Sequence, residues 1–214
     1  GVPFNEHQQD NSSISNVVYT DPIQLVEFED SHLSREEVRN QLGLPLDATV
    51  VFLQNTENGY KLLGKEMSFI LDALELVDVW IVIGESIVGP RFQNINNDRI
   101  RVIRDYPLTR YYQAFDFTIM AGAFETFHTS VQHSLPAICI PTIGIESESR
   151  DRRIENAVDK GFMRIVNGLS KKQLNTVIED IMDKQTRQDM WDSVIYLHKP
   201  NGADQVSGFI LENI

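Results

Sequence analysis

Hydrophobic positions along this chain follow two alternating rhythms. Runs of strand length rich in apolar residues occur at 48–54 (ATVVFLQ), 79–83 (VWIVI), 100–103 (IRVI), 117–120 (FTIM), 137–140 (AICI) and 162–166 (FMRIV), the first of them continuous. Continuous rather than alternating runs suit parallel strands buried on both faces. Between them the apolar residues recur at helical spacing. Leu62, Leu63, Met67, Ile70, Leu71 and Leu74 make one such stripe and predict a helix from about 60 to 76. Further helices are predicted at 108–114, from the Ala121-Gly122-Ala123 turn to near Ser134, at 151–160, and at about 170–184, 186–197 and 203–213.

Punctuation agrees with these rhythms. Ser34-Arg35-Glu36-Glu37 is a capping box, with Val38 and Leu42 as its apolar followers and Gly43 as its stop. Gly84 closes one strand and Gly161 closes one helix. Strands alternating with helices across short loops predict an α/β fold: a doubly wound parallel sheet of about six strands with helices on both faces. Ligands of such sheets bind at the carboxyl ends of the strands, where strand order reverses. Asn55–Gly59, Gly84–Ser86, Asp105–Pro107, Gly122–Thr129 and Pro141–Asp151 therefore share one rim.

The chain's start reads differently. Residues 1–16 are polar, rich in Asn, Gln and Ser, and without period; residues 17–30 hold one short apolar run (VVY) and a turn at Asp21-Pro22. Residues 1–30 are read as a linker or tail and 31–214 as one domain. The opening Gly1 suggests a processed chain or a fragment.

Composition narrows the partners. The 214 residues are 42% hydrophobic and 23% charged, with a net charge of −12. That balance suits a globular domain and argues against nucleic acid or an anionic membrane as the main partner. A small phosphate-bearing ligand stays open, since a helix N-terminus can hold one. Cys139 is the single cysteine, which excludes an internal disulfide, and its place inside a strand reads as core. No apolar run reaches the roughly 20 residues of a membrane span, and no signal peptide is visible; the expected location is the cytoplasm.

Residues 116–141 carry the most chemistry. A strand ends, small residues allow a tight turn, and a helix begins whose first amides face the rim and can bind phosphate oxygens. Thr126 and His128 can add side-chain donors. The bland alternative is that Gly122 makes a turn and Thr126 caps a helix. His7, His32, His128, His133 and His198 show no metal-ligand spacing, so no metal site is expected. Glu146, Glu148 and Asp151 read as solvated loop acids rather than a hydrolytic pair. Arg150, Asp151, Arg152 and Arg153 read as helix salt pairs, with Arg152 or Arg153 able to face a phosphate. Trp80, Tyr111 and Tyr112 read as packing residues.

The order of these segments resembles the C-terminal, nucleotide-sugar-binding domain of GT-B glycosyltransferases, the group of the lipid-II-forming N-acetylglucosaminyltransferase and the UDP-glycosyltransferases. The resemblance is carried by SREEVRNQLGLPLD at 34–47, IRVIRDYPLTRYYQAFDFTIMAG at 100–122 with its Ala-x-Asp turn, Gly122-Ala123 with Thr126, Leu135-Pro136 before AICIP, Asp151, Asn156-Ala157 and the closing NGADQVSGFIL. It implies a Rossmann-like half of a GT-B fold whose donor is a UDP-sugar, with no cofactor or metal. It implies that the Ala121–Thr126 turn, with Gly122, Ala123 and Thr126, cradles the pyrophosphate; His128 lies near it as a candidate stabiliser of the leaving phosphate. Asp105 and Tyr106 then face the base, Asn55 and Gly59 the phosphates or the acceptor, and Glu148, Asp151 and Arg152 the donor sugar. The family usually has Glu where Thr129 stands, gripping both ribose hydroxyls, and a neutral hydroxyl does not replace that carboxylate. An acceptor-binding N-terminal domain or partner subunit is also implied, through which alone the protein would meet a membrane. The alternatives are a nucleotide-sugar epimerase or hydrolase, or a non-catalytic nucleotide-sugar-binding scaffold.

Overall fold

The structure is a computed structural model and describes residues 17–24, 33–54, 65–85, 87, 97–141 and 148–213. The expected strands form a six-stranded parallel sheet of β1 (Val50–Gln54), β2 (Trp80–Gly84), β3 (Ile100–Ile103), β4 (Phe117–Met120), β5 (Ala137–Cys139) and β6 (Met163–Ile165). Spatial order is β3-β2-β1-β4-β5-β6, so the chain runs outward from β1 to one edge, returns, and runs outward from β4 to the other. The helices are α1 (Arg35–Leu42), α2 (Lys65–Leu74), α3 (Phe124–Gln132), α4 (Glu148–Asp159), α5 (Lys171–Met182), α6 (Lys184–Ser193) and α7 (Ala203–Glu212), with a 3-10 turn at Leu108–Ala114.

Strand residues alternate between two buried layers. Val51, Leu53, Ile81, Ile83, Phe117, Ile119 and Ile138 pack against α2, α5 and α6 through Met67, Ile70, Leu74, Leu174, Ile178 and Met190. On the opposite face Val50, Phe52 and Val82 meet Val38 of α1 and Tyr112 of the 3-10 turn. Met120, Cys139 and Met163 meet Phe127 of α3 and Ile154 of α4 on that same side. Burial on both faces is the physical reason the inner strands β1, β2, β4 and β5 are mainly apolar, whereas the edge strands β3 and β6 carry Arg101 and Arg164 and are less buried.

The capping box forms as the sequence requires. The Ser34 hydroxyl accepts from the Glu37 amide, the Glu37 carboxylate accepts from the Ser34 amide at 2.8 Å, and Gly43 ends α1 at φ 63°. One helix departs from expectation: α4 begins at Glu148 rather than 151. Glu148 and Asp151 occupy its first turn, where acids suit the helix dipole, and Glu148 pairs with Arg152 one turn on. These acids are therefore helical, not loop residues. The Val17-Val18-Tyr19 run is exposed and joins no sheet.

Arg39 holds the amino ends of β1 and β4 together. It is fully buried on α1, and its Nε donates to the Ala114 carbonyl at 2.9 Å. Its Nη1 faces the carbonyls of Pro45, Leu46 and Ala48 at 2.9, 2.7 and 2.9 Å, and its Nη2 meets Asp116 at 2.8 Å. Asp116 also accepts from the Val50 amide at 2.7 Å and from Arg35 at 2.6 Å. Burial lowers the Arg39 pKa, with the Arg35 charge adding to the effect and Asp116 opposing it. Removing one member of such a network strands the others without water. Arg39→Leu is expected to lower the unfolding free energy by about 3 kcal/mol in urea titration. Arg35→Leu, which removes a half-exposed partner, should cost about 1 kcal/mol or less.

Candidate functional site

Strand order reverses between β1 and β4, which are hydrogen-bonded neighbours with Gln54 opposite Met120. The chain leaving β1 continues into α2 on one face of the sheet, whereas the chain leaving β4 continues into α3 on the other. In open α/β sheets such a divergence is where the ligand crevice lies, at the carboxyl ends of the two strands. Gly122 turns the chain there at φ 85°. A Cβ at this position would lie 2.8 Å from Ile154 Cδ1 and 3.0 Å from Cys139 Sγ. The glycine is thus required by the packing of α4 and β5 beneath the turn.

Ala123 is the N-cap of α3 and offers no side-chain hydrogen bond to the helix. The first-turn amides of Phe124, Glu125 and Thr126 are therefore uncapped by any side chain at the mouth of the crevice. A buried cation from α4 lies behind the turn. Arg153 donates to the Gly122 carbonyl at 3.1 Å and stacks over the Phe124 and Phe127 rings at 5.3 and 5.2 Å. Arg150 is also buried and meets Asp151 at 3.1 Å. Helix dipole and guanidinium charge together make this end of the crevice favourable to an anion.

The expected site residues fall in different environments. Gly122, Ala123 and Thr126 share the turn, but Thr126 is buried and its hydroxyl donates to the Ala123 carbonyl at 3.1 Å. His128 is half-buried, its ring against Phe124 at 4.4 Å and Phe127 at 5.1 Å. Thr129 is buried, and its hydroxyl donates at 3.3 Å to Gln24 from the leading segment. Glu148, Asp151 and Arg152 stand on the first turns of α4. Asp105 and Tyr106 lie beyond β3, two strands away from β1 along the rim. The Tyr111 hydroxyl at 2.5 Å, the Tyr106 amide at 2.7 Å and Arg110 at 3.0 Å hold Asp105, and these bonds lower its pKa. Tyr106 is exposed. Asn55 and Gly59 lie outside the described residues. Among those described, no three His, Cys, Asp or Glu side chains gather where they could hold a metal.

Of the two arginines expected to be able to face a phosphate, Arg153 is the one tied to the Gly122 turn. Sequence reasoning missed Gln54, which it took only as part of the 48–54 run; its Oε1 accepts from the buried Tyr112 hydroxyl. A polar residue closing a continuous apolar strand at the reversal point was the available signal.

Comparison with solved structures identifies the class of fold. The chain has the α/β architecture of a Rossmann-like half of GT-B glycosyltransferases, consistent with the C-terminal half. MurG of Acinetobacter baumannii superposes with a TM-score of 0.61 at 16% identity, over 84% of this chain and 53% of that one. The spinosyn rhamnosyltransferase SpnG gives 0.62 at 16% identity, over 91% and 52%. SnogD from Streptomyces nogalater, a glycosyltransferase, gives 0.57 at 15%, over 89% and 48%. The chain thus spans about half the length of the solved structures it matches. No family model and no curated protein sequence matches it.

Two outcomes follow for the site's frame. Gly122→Ala should destabilise the fold by about 2 kcal/mol in urea titration, through left-handed strain and overpacking against Ile154. His133, packed 5.0 Å from the Tyr112 ring, has its imidazole lowered by burial to about 4. The unfolded chain therefore binds a proton there, from about pH 6.5 down to about pH 4, that the folded chain does not. Its contribution is present above pH ~6.5 and is lost as pH falls toward ~4, by about 3 kcal/mol in all. His133→Phe should flatten that part of the stability–pH curve, measured by urea unfolding at several pH values.

Proposed function

We propose that this chain is the donor half of a glycosyltransferase: it binds a UDP-sugar, and the sugar passes from the nucleotide diphosphate to an acceptor hydroxyl. The observation that carries the reading is the uncapped start of α3, at the strand-order reversal of a fold shared with glycosyltransferases. Charge builds on the diphosphate as the glycosidic bond breaks. Helix-start amides backed by the Arg153 charge can stabilise it without reorganising and without a metal. Asp105 and Tyr106 would meet the base, and Glu148, Asp151 and Arg152 the donor sugar. His128, beside the turn, would lend a proton donor toward the phosphate.

An acceptor-binding half, in the same polypeptide or a partner subunit, would complete the enzyme. It would dock on α7, which has no buried residue and leaves Phe209, Ile210 and Leu211 exposed. Residues 17–24 run against the start of that helix. The Gly202 amide donates to the Pro22 carbonyl at 3.0 Å, and Gln205 bonds the Asp21 amide at 2.9 Å. No helix among the described residues is long and apolar enough to cross a membrane. We place the working enzyme in the cytoplasm. A second reading, a nucleotide-sugar-binding scaffold, is favoured by one observation: Thr129 already spends its hydroxyl on Gln24 rather than on a ribose.

Calorimetric titration with UDP, TDP, GDP and ADP, with and without magnesium, tests the donor reading. UDP should bind without the metal. Ala123→Asp supplies the missing N-cap, so it should raise the melting temperature while weakening UDP at least tenfold. Undiminished UDP binding by that variant would remove the diphosphate from α3.

A further inference from the structure

We propose that Gln54 is a diphosphate-binding residue whose carboxamide is aimed by Tyr112, so that Nε2–H donates to a phosphate oxygen in the crevice between β1 and α3. The proposal rests on the donor-half reading and adds to it a specific residue with a specific proton.

Gln54 ends β1 at the reversal point and pairs in register with Met120, the last residue of β4. Neighbouring strands lie ~4.8 Å apart, and α3 starts four residues beyond Met120. Paired residues of parallel neighbours face the same side of a sheet. Gln54 therefore faces the side that carries the 3-10 turn and α3, not the side covered by α2. Tyr112, from the 3-10 turn, reaches Gln54 there and is fully buried. Burial and then the nearby Glu125 charge raise its pKa, so it remains a neutral hydroxyl and a donor at any working pH. Glu125 stands on the first turn of α3. Gln54 and the start of α3 thus stand on the same side of the sheet at the reversal point, with Tyr112 buried beneath Gln54.

The chemistry follows from which atom is already engaged. Gln54 Oε1 is the one acceptor for the Tyr112 hydroxyl among the described residues. With Oε1 accepting from Tyr112, the NH2 turns away from that hydroxyl. Among the described residues no acceptor meets Nε2, and Gln54 is only half-buried. A neutral donor held in one orientation beside a helix start suits a diphosphate oxygen, since it adds a hydrogen bond without losing rotamer freedom on binding. Tyr112 is a positioning residue here: it touches Gln54, not the ligand.

Gln54→Glu keeps the acceptor for Tyr112 and replaces the donor with a carboxylate oxygen. Calorimetry on the full chain should show UDP binding weakened at least tenfold, while uridine, which has no phosphate, changes by less than about twofold. Tyr112→Phe should weaken UDP roughly three- to fivefold, again sparing uridine, with melting curves confirming that each variant folds. Equal UDP affinity in Gln54→Glu and the parent chain overturns the Gln54 assignment and leaves the donor reading standing. Equal losses for UDP and uridine overturn the phosphate assignment. Binding of UDP, TDP, GDP and ADP all absent from the parent chain overturns the donor reading, and this inference with it.

Discussion

The Arg39–Asp116 contact is the constraint on which the rest of the molecule depends. β1 and β4 are far apart in sequence, yet their adjacency creates both the reversal of strand order and the crevice. One carboxylate reads the Val50 amide at the start of β1 from its own place just before β4. One buried guanidinium ties that carboxylate to α1, to the turn before β1 and to the end of the 3-10 turn. Buried charges are costly, and a buried arginine persists when each donor has a carbonyl or carboxylate in place. This network meets that condition with polar atoms from four separate segments. Its bonds join the start of β1 to the residue before β4, the two strands that are neighbours at the centre of the sheet.

The two ends of the sheet divide the work. At the amino ends, charge is engaged in structure: Arg35 and Arg39 share the carboxylate of Asp116. At the carboxyl ends, polarity is left available: α3 has no side-chain cap, Gln54 has a donor turned away from Tyr112, and Arg153 lies behind the Gly122 carbonyl. In a chain of net charge −12, local positive potential for an anion must come from oriented amides and a few placed arginines. The aromatic rings of Phe124 and Phe127 hold Arg153 in place by cation–π contact, so the charge is preorganised.

The departure at Thr129 joins the site to the chain's periphery. Gln24 bonds Thr129 with its side chain, while its backbone is held on both sides by Asn201, at 3.0 Å to its amide and 3.0 Å to its carbonyl. Gly202 allows the close approach, because a Cβ there would lie 1.9 Å from the Asp21 carbonyl oxygen. The leading segment, the start of α7 and the middle of α3 are consequently one hydrogen-bonded unit.

Much of this was legible beforehand. Six apolar-rich runs of strand length and their helical spacers determined a doubly wound parallel sheet, because burial of the inner strands on both faces leaves little polar alternation to read. Ser34, Glu37 and Gly43 determined the limits of α1, because caps act within a few residues. Gly122 marked the turn, and the segment order marked the family resemblance. The start of α4 was misplaced by three residues, because Glu148 joins the helix through a pairing with Arg152 that the sequence allows but does not require. The partners of Arg39, the burial of Thr126 and Thr129, the place of Arg153 under Gly122 and the orientation of Gln54 were decided by tertiary structure alone. Each depends on atoms brought together from distant positions, and a local pattern of apolar and polar residues carries no information about which distant donor will meet which acceptor.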